Sequence, residues 1–327
     1  MTSRRTFLVT LAAILAIPLS AKAQQTSKVW RIGSLSQSSA AAGGLYTEAF
    51  LRGLRESGYI EGQDFVVELR YAAGRLERLP DLADELARLK VDVIFARSSR
   101  AVTAARNATG AIPIVALDLE SDPIARGFVT SLARPGGNIT GMFLDLPELI
   151  GKQLALLKEV VPTLSRVAVL GDSAINTSHF SAAEAAARRL AVRVQVLEAR
   201  SATDFDSVFE AATKGRAGAL IVLSSSFTFL HNAPIAALAA KNRLATISIA
   251  KEFVEAGGLM AYGVDLKDLH WRCAAYVGKI LKGAKPGELP VERPTRFEFF
   301  INLKTAKALG LTIPPALLAR ADQVIDQ

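Results

Sequence analysis

Residues 29–58, VWRIGSLSQSSAAAGGLYTEAFLRGLRESG, contain the unit from which the rest of the chain can be read. Val29-Trp30-Arg31-Ile32-Gly33 has the β-branched and aromatic residues of a strand. Tyr46, Phe50 and Leu54 then recur at the spacing of one helix face, and Gly58 stops the helix. This is one β-α unit. Working outward, strands are predicted at 65–69, 91–96, 112–117 and 139–142. A helix carrying Leu79, Leu82, Ala83, Leu86 and Leu89 on one face, a second at 99–107 and a third at 124–132 separate them. Pro135-Gly136-Gly137-Asn138 forces a turn before the last of these strands.

The pattern restarts after a helix bearing Ile150, Leu154, Leu157 and Val161, with strands at 167–170, 192–197, 219–223 and 245–247. Strict alternation of strand and helix implies parallel sheets with right-handed crossovers, because parallel neighbours need a long return connection. The expected fold class is therefore α/β, with two successive Rossmann-like lobes. Between Gly257-Gly258 and Gly263 lies a short strand, followed by a helix over 266–281. Pro286, Pro290 and Pro294 punctuate an extended stretch before a strand at 297–301, and Pro314-Pro315 precedes a last helix.

Composition supports this reading. A chain of 327 residues, half of them apolar and 21% charged, exceeds one ordinary domain and is too apolar to be disordered. The formal charge is +8, but its cations are scattered and no basic stripe interleaves with aromatics, so nucleic acid is not an expected partner. Cys273 is the only cysteine, which excludes an intrachain disulfide and any cysteine-cluster metal site. Its neighbours at helical spacing, Leu269, Tyr276, Val277 and Ile280, mark it as a buried helix residue.

Residues 1–23 read as an export leader. Arg4 and Arg5 precede an apolar run from Phe7 to Leu19, and Ala21-Lys22-Ala23 supplies small residues for cleavage after Ala23. The run is short for a bilayer core of about 30 Å. Ser3-Arg4-Arg5-Thr6-Phe7-Leu8 also resembles a twin-arginine signal, leaving that route and general secretion both open. The mature chain is expected in the periplasm, as a monomer.

Five phrases in chain order resemble one known family. They are Gly53-Leu-Arg-Glu-Ser-Gly-Tyr-Ile-Glu-Gly-Gln63, Ser121-Asp-Pro123, Leu132-Ala-Arg-Pro-Gly-Gly-Asn-Ile-Thr-Gly141, Ala256-Gly-Gly-Leu-Met-Ala-Tyr-Gly263 and Ile301-Asn-Leu-Lys-Thr-Ala-Lys-Ala-Leu-Gly310. Together they resemble the ABC-transporter substrate-binding proteins of the tryptophan-binding-like group, over almost the whole mature chain. The resemblance implies a type I periplasmic-binding-protein architecture, two α/β lobes joined by a three-segment hinge that close on a small molecule. It further implies that helix 266–281 returns to the first lobe. The lobes are then 28–142 plus 263–290, and 143–262 plus 291–327. The implied function is capture of an amino-acid-like or other carboxylate for an ABC permease. The sequence departs from the family at Gly171–Asn176, which lacks a proline-containing pattern, and at Arg97 and Arg100, where many relatives carry small residues.

Ligands of open α/β sheets sit beyond the carboxyl ends of the strands, where loops and helix N-termini present unpaired N–H groups. That rule selects Ser36 and Gln37, then Arg97, Ser98 and Ser99, and then Asp118 from the acidic loop that also holds Glu120 and Asp122. From the second half it selects Asp172, Asn176, Ser224 and Ser225, with Tyr262 and Asp265 near the hinge. Arg97 could pair bidentately with a carboxylate and Asp118 could receive an amino group. Each has a plainer reading: the serines as helix caps, the arginine as a solvated face, Asp118 as a solvated loop carboxylate and Tyr262 as hinge packing.

No enzyme signature occurs. His179, His231 and His270 lack metal-ligand spacing, and there is no G-x-S-x-G elbow, phosphate loop or dinucleotide fingerprint. No catalytic residue, metal or cofactor is expected. Two other readings of the same cleft remain open here, a periplasmic sensor module for a receptor kinase and an exported α/β enzyme acting on a small acid.

Overall fold

Strands whose residues are apolar at every position need cover on both faces, and helices supply it here. The computed structural model describes residues 28–144, 146–171 and 173–326. The expected leader, 1–23, lies outside the described residues. The first half contains β1 (Trp30–Ser36), α1 (Ala40–Glu56), β2 (Phe65–Tyr71), α2 (Leu79–Arg88), β3 (Val93–Arg97), α3 (Ser99–Ala108), β4 (Ile114–Asp118) and β5 (Ile139–Phe143). Its five strands are all parallel, in the order β2-β1-β3-β4-β5. Every residue of β3, β4 and β5 is buried.

The second half continues with α4 (Leu146–Val160), β6 (Arg166–Gly171), α5 (Ser173–Arg189), β7 (Arg193–Glu198), α6 (Phe205–Lys214), β8 (Ala219–Val222), α7 (Ser226–Leu230) and α8 (Asn232–Lys241). It closes with β9 (Ala245–Ser248), α9 (Lys251–Glu255), β10 (Met260–Gly263), α10 (Leu266–Leu281), β11 (Glu298–Asn302), α11 (Leu303–Ala308), α12 (Pro315–Leu318) and β12 (Gln323–Ile325). The second sheet runs β12-β11-β10-β9-β8-β6-β7, so both halves wind the same way. It is mostly parallel, but β11 pairs antiparallel with β10. The α/β class with two wound sheets is as the alternation predicts.

Two local expectations need correction. No helix forms over 124–132: Asp122 Oδ1 accepts from both Ile124 N and Ala125 N, and Gly127 at φ +64 diverts the chain into tight turns. The helix-like spacing of apolar residues there serves to pack Phe128 and Val129 into the core. The tail ends in a strand, β12, after only a four-residue helix, since Pro314-Pro315 permits one turn and Asp322 then fastens to β11 through Phe299 N.

Helix α10 leaves the second sheet and packs along α1, against the face of β3, β4 and β5. Gly53 makes the approach possible, because a Cβ there would lie 2.6 Å from the Trp271 carbonyl oxygen. Tyr59 donates to the Gly278 carbonyl at 3.1 Å, and Tyr276 to that of Pro290 at 2.7 Å. The chain then borders β5: Phe143 N bonds Glu292 O, and Glu292 N bonds Gly141 O, each at 3.0 Å. Beneath α10 the Cys273 thiol is fully buried, and burial holds its pKa far above the ordinary thiol value. A thiol-labelling disulfide reagent is therefore expected to leave the native protein unmodified and to react only as the protein unfolds in denaturant. Among the described residues no helix is long and apolar enough to cross a membrane.

Candidate functional site

The carboxyl ends of the two sheets point at each other, and between them lies a cavity enclosing about 850 Å³, part of it open to solvent. The first half contributes Ser36, Gln37 and Ser38 after β1, Arg97 and Ser98 after β3, and Leu117, Leu119 and Glu120 at the end of β4. The second half contributes His179, Ser224, Ser225 and Phe229. Tyr46 of α1 closes the contact between halves, its ring 5.6 Å from that of Phe229 and stacked at 5.0 Å on His270 of α10.

Arg97 is the most unusual wall residue. Its position at the end of β3, in a strand buried on both faces, leaves it 7% exposed. One terminal nitrogen, Nη1, donates to Thr47 Oγ1 at 3.1 Å, and that hydroxyl sits 3.0 Å from Tyr71 Oη. The guanidinium carbon lies 5.3 Å from the Tyr71 ring centre and 5.8 Å from that of Phe95. Among the described residues, Nε and Nη2 have no hydrogen-bond partner. Burial pulls the pKa below the ordinary arginine value, yet a guanidinium stays charged, so the cavity wall holds a buried cation with two unused donors.

Of the other orphaned polar atoms among the described residues, Tyr46 Oη, Gln37 Oε1 and His179 Nδ1 gather in the same place, and Gln195 Oε1 alone lies elsewhere, on β7. Burial lowers His179 to about 4, so its ring is neutral at pH 7. His270 falls to about 3 through burial and then the Arg97 charge. Its Nδ1 is 2.7 Å from Leu266 O, which fixes the proton on Nδ1. Glu120 is pushed up to about 7 by burial and by the neighbouring Asp118. Ser98 turns the chain at φ +115, a conformation costly for a residue with a Cβ, and caps α3 by accepting from Ala101 N.

The structure divides the sequence-derived candidates. Ser36, Gln37, Arg97, Ser98, Ser224 and Ser225 lie on the cavity wall. Ser225 spends its side chain capping α7, accepting from Thr228 N at 3.1 Å. Four others are held elsewhere. Asp118 is fully buried behind the wall, its oxygens taken by Glu120 N at 2.8 Å and Ser121 Oγ at 2.6 Å. Ser99 meets Ser121 Oγ at 3.2 Å. Tyr262 stacks on Phe297, and its carbonyl accepts from Gln153. Asp265 caps α10 through Lys267 N and Asp268 N. Asp172 lies outside the described residues, and Asn176 is described only as a position in α5.

Tyr46, Phe229 and His270 join the wall without having been selected. Tyr46 sits on the apolar stripe of α1, where an aromatic reads equally well as core packing. Glu120 was visible in the acidic loop, but its place on the wall depends on Asp118 turning inward.

The family model for ABC transporter substrate binding proteins matches residues 41–325. A tyrosine-binding protein of Clostridioides difficile is 26% identical over 266 residues, covering 81% of this chain and 76% of that one. Among solved structures, the ABC domain in complex with L-Trp from Streptococcus pneumonia superposes with a TM-score of 0.81 at 24% identity, covering 91% of this chain and all of the other. A conserved domain protein from Vibrio cholerae gives 0.82 at 24% identity with the same coverage. The ligand-free, open structure of a Clostridium difficile substrate-binding protein with adhesive properties gives 0.63 at 25% identity, covering 88% and 97%. With its matched length, two mostly parallel wound sheets and a cavity between them, the chain belongs to the ABC transporter substrate-binding protein family and is a substrate-binding protein of that kind.

Proposed function

We propose that this chain captures a small amino-acid-like carboxylate between its lobes and presents the closed form to an ABC permease. The observation that carries the reading is Arg97: a buried guanidinium on the cavity wall with Nε and Nη2 unused is a seat for a planar carboxylate. An isolated buried cation is costly, and an arriving anion removes that cost. The tyrosine-binding and L-Trp-bound relatives support an amino-acid-like ligand. Leu117, Leu119 and Phe229 supply apolar wall for its side chain. Closure follows from a ligand that touches both lobes, since only the closed population offers all of its contacts.

For the lobes we take 28–142 with 263–290 against 143–262 with 291–327. The bonds from Val291 and Glu292 to Leu132 O and Gly141 O support a last crossing a few residues later. The leader, cleavage after Ala23, export by either the twin-arginine or the general secretory route, a periplasmic monomer, no nucleic-acid partner and no catalysis complete the proposal.

The test has three readings on one sample. Native mass spectrometry of protein purified without refolding is expected to reveal a bound small mass, and a ligand of that mass is expected to raise the melting temperature. Small-angle scattering should then record compaction. A ligand that stabilises the protein with no compaction would overturn the closing mechanism.

A further inference from the structure

This inference rests on the carboxylate reading of the cavity and concerns the other end of the ligand. Glu120 is held on the wall by the turn after β4, where the buried Asp118 takes its N–H at 2.8 Å. Gln37, after β1, donates Nε2 to Glu120 Oε1 at 3.3 Å. That bond orients the Gln37 amide so that Oε1 is buried with no donor. A carboxyl and an amide oxygen thus stand together on a cavity wall that also carries a guanidinium. An amide oxygen with no donor among the described residues, beside a carboxyl whose own donors are the Gln37 amide and the Ser99 N–H, matches a group with several N–H bonds and a positive charge.

We propose that Glu120 and Gln37 form a seat for a ligand ammonium, making Glu120 the residue that selects a zwitterion over a simple carboxylate.

A proton balance follows. In the unliganded protein Glu120 titrates near 7, raised by burial and by Asp118, and opposed by the Gln37 amide, Arg100 of α3 and the Ser99 N–H. Among the described residues, the other titratable groups on the wall do not interfere between pH 6 and 8. His179 at about 4 and His270 at about 3 stay neutral, Tyr46 is raised by burial, and Arg97 keeps its charge. A bound ammonium favours the carboxylate, so affinity is full above pH 7 and is lost as pH falls through 7. Capture near pH 7 then releases a fraction of a proton, because part of Glu120 is protonated beforehand.

The experiment compares matched pairs by titration calorimetry on the full mature protein: L-tryptophan with indolepropionate, L-tyrosine with phloretate, L-phenylalanine with hydrocinnamate and L-leucine with isocaproate. At least one amino acid is expected to bind about tenfold or more tighter than its deaminated partner at pH 8 and to weaken about tenfold from pH 8 to pH 6. Its apparent heat should differ between phosphate and Tris buffers at pH 7, which reports the released proton. In Glu120→Gln the pair preference, the pH dependence and the buffer dependence should all disappear. Glu120→Gln is isosteric and removes a charge that burial disfavours, so its melting temperature at pH 8 should equal or exceed that of the parent.

Equal affinity within every pair, or a preference that survives in Glu120→Gln, overturns the ammonium seat and leaves the carboxylate reading standing. Tighter binding of a deaminated acid does the same. If no member of any pair binds, the ammonium seat falls together with the carboxylate reading for these apolar side chains.

Discussion

An Arg97→Met substitution is expected to weaken ligand binding by at least about 100-fold, or about 2.7 kcal/mol, while leaving the unliganded protein as stable as the parent or more so. The two effects have one cause. Arg97 is buried, Nη1 donates to Thr47, the Tyr71 hydroxyl stands close by, and Nε and Nη2 have no partner among the described residues, so the empty protein carries a poorly compensated charge. Methionine fills similar volume beside Tyr71 and Phe95 with no charge to desolvate, and exchanges of this kind are neutral or stabilising by about 1–2 kcal/mol. The lost hydrogen bond to Thr47 subtracts part of that gain. Thermal unfolding with and without an amino acid that stabilises the parent reads both quantities at once. A variant that keeps the ligand-induced shift would remove Arg97 from the binding account. A variant that binds nothing but melts much lower would make its role structural.

The largest loss of stability is expected from Gly141→Ala. Gly141 lies inside β5 at φ +130, a region that side chains rarely adopt. A Cβ there would stand 2.2 Å from the Ala116 carbonyl oxygen and 2.6 Å from its nitrogen on β4. These contacts are backbone to backbone within a fully buried strand pair, so no side chain can rotate away. The added methyl must push β5 from β4, at the edge that also receives Glu292. A cost of about 3–5 kcal/mol follows, enough to unfold much of the population near physiological temperature. Denaturant unfolding should reveal it, and a loss below about 1 kcal/mol would mean that the strand pair yields more easily than its packing implies.

The wound sheets were legible because strand and helix periods differ, and because the buried strands are apolar at most positions. The site was legible by half, since the rule of carboxyl strand ends finds loops but not directions. Arg97 and Gln37 were selected together with Asp118, yet it is Glu120, two residues on, that lines the cavity while Asp118 is buried behind it. Which one faces the cavity depends on Ser121 and on the backbone turn that Asp118 closes, and no periodicity records that. Tyr46 and Phe229 escaped notice because an aromatic on an apolar stripe is equally at home in a core. They meet only when the halves do. The false helix at 124–132 has the same origin: correct spacing with an Asp-led turn and a left-handed glycine overriding it.

The return of α10 to the first half has a consequence for biosynthesis. Phe50, Leu54, Phe95 and Val115 share one apolar cluster with Leu269, Cys273, Ala274, Val277 and Leu281, more than 150 residues downstream of the nearest of them. A chain emerging from the ribosome cannot seal that surface until α10 has been made, so the N-terminal sheet waits, uncovered, while the intervening unit assembles. Nascent chains stalled before residue 266 should accordingly recruit holdase chaperones, and release of that hold should coincide with translation through residue 281 rather than with completion of the first sheet.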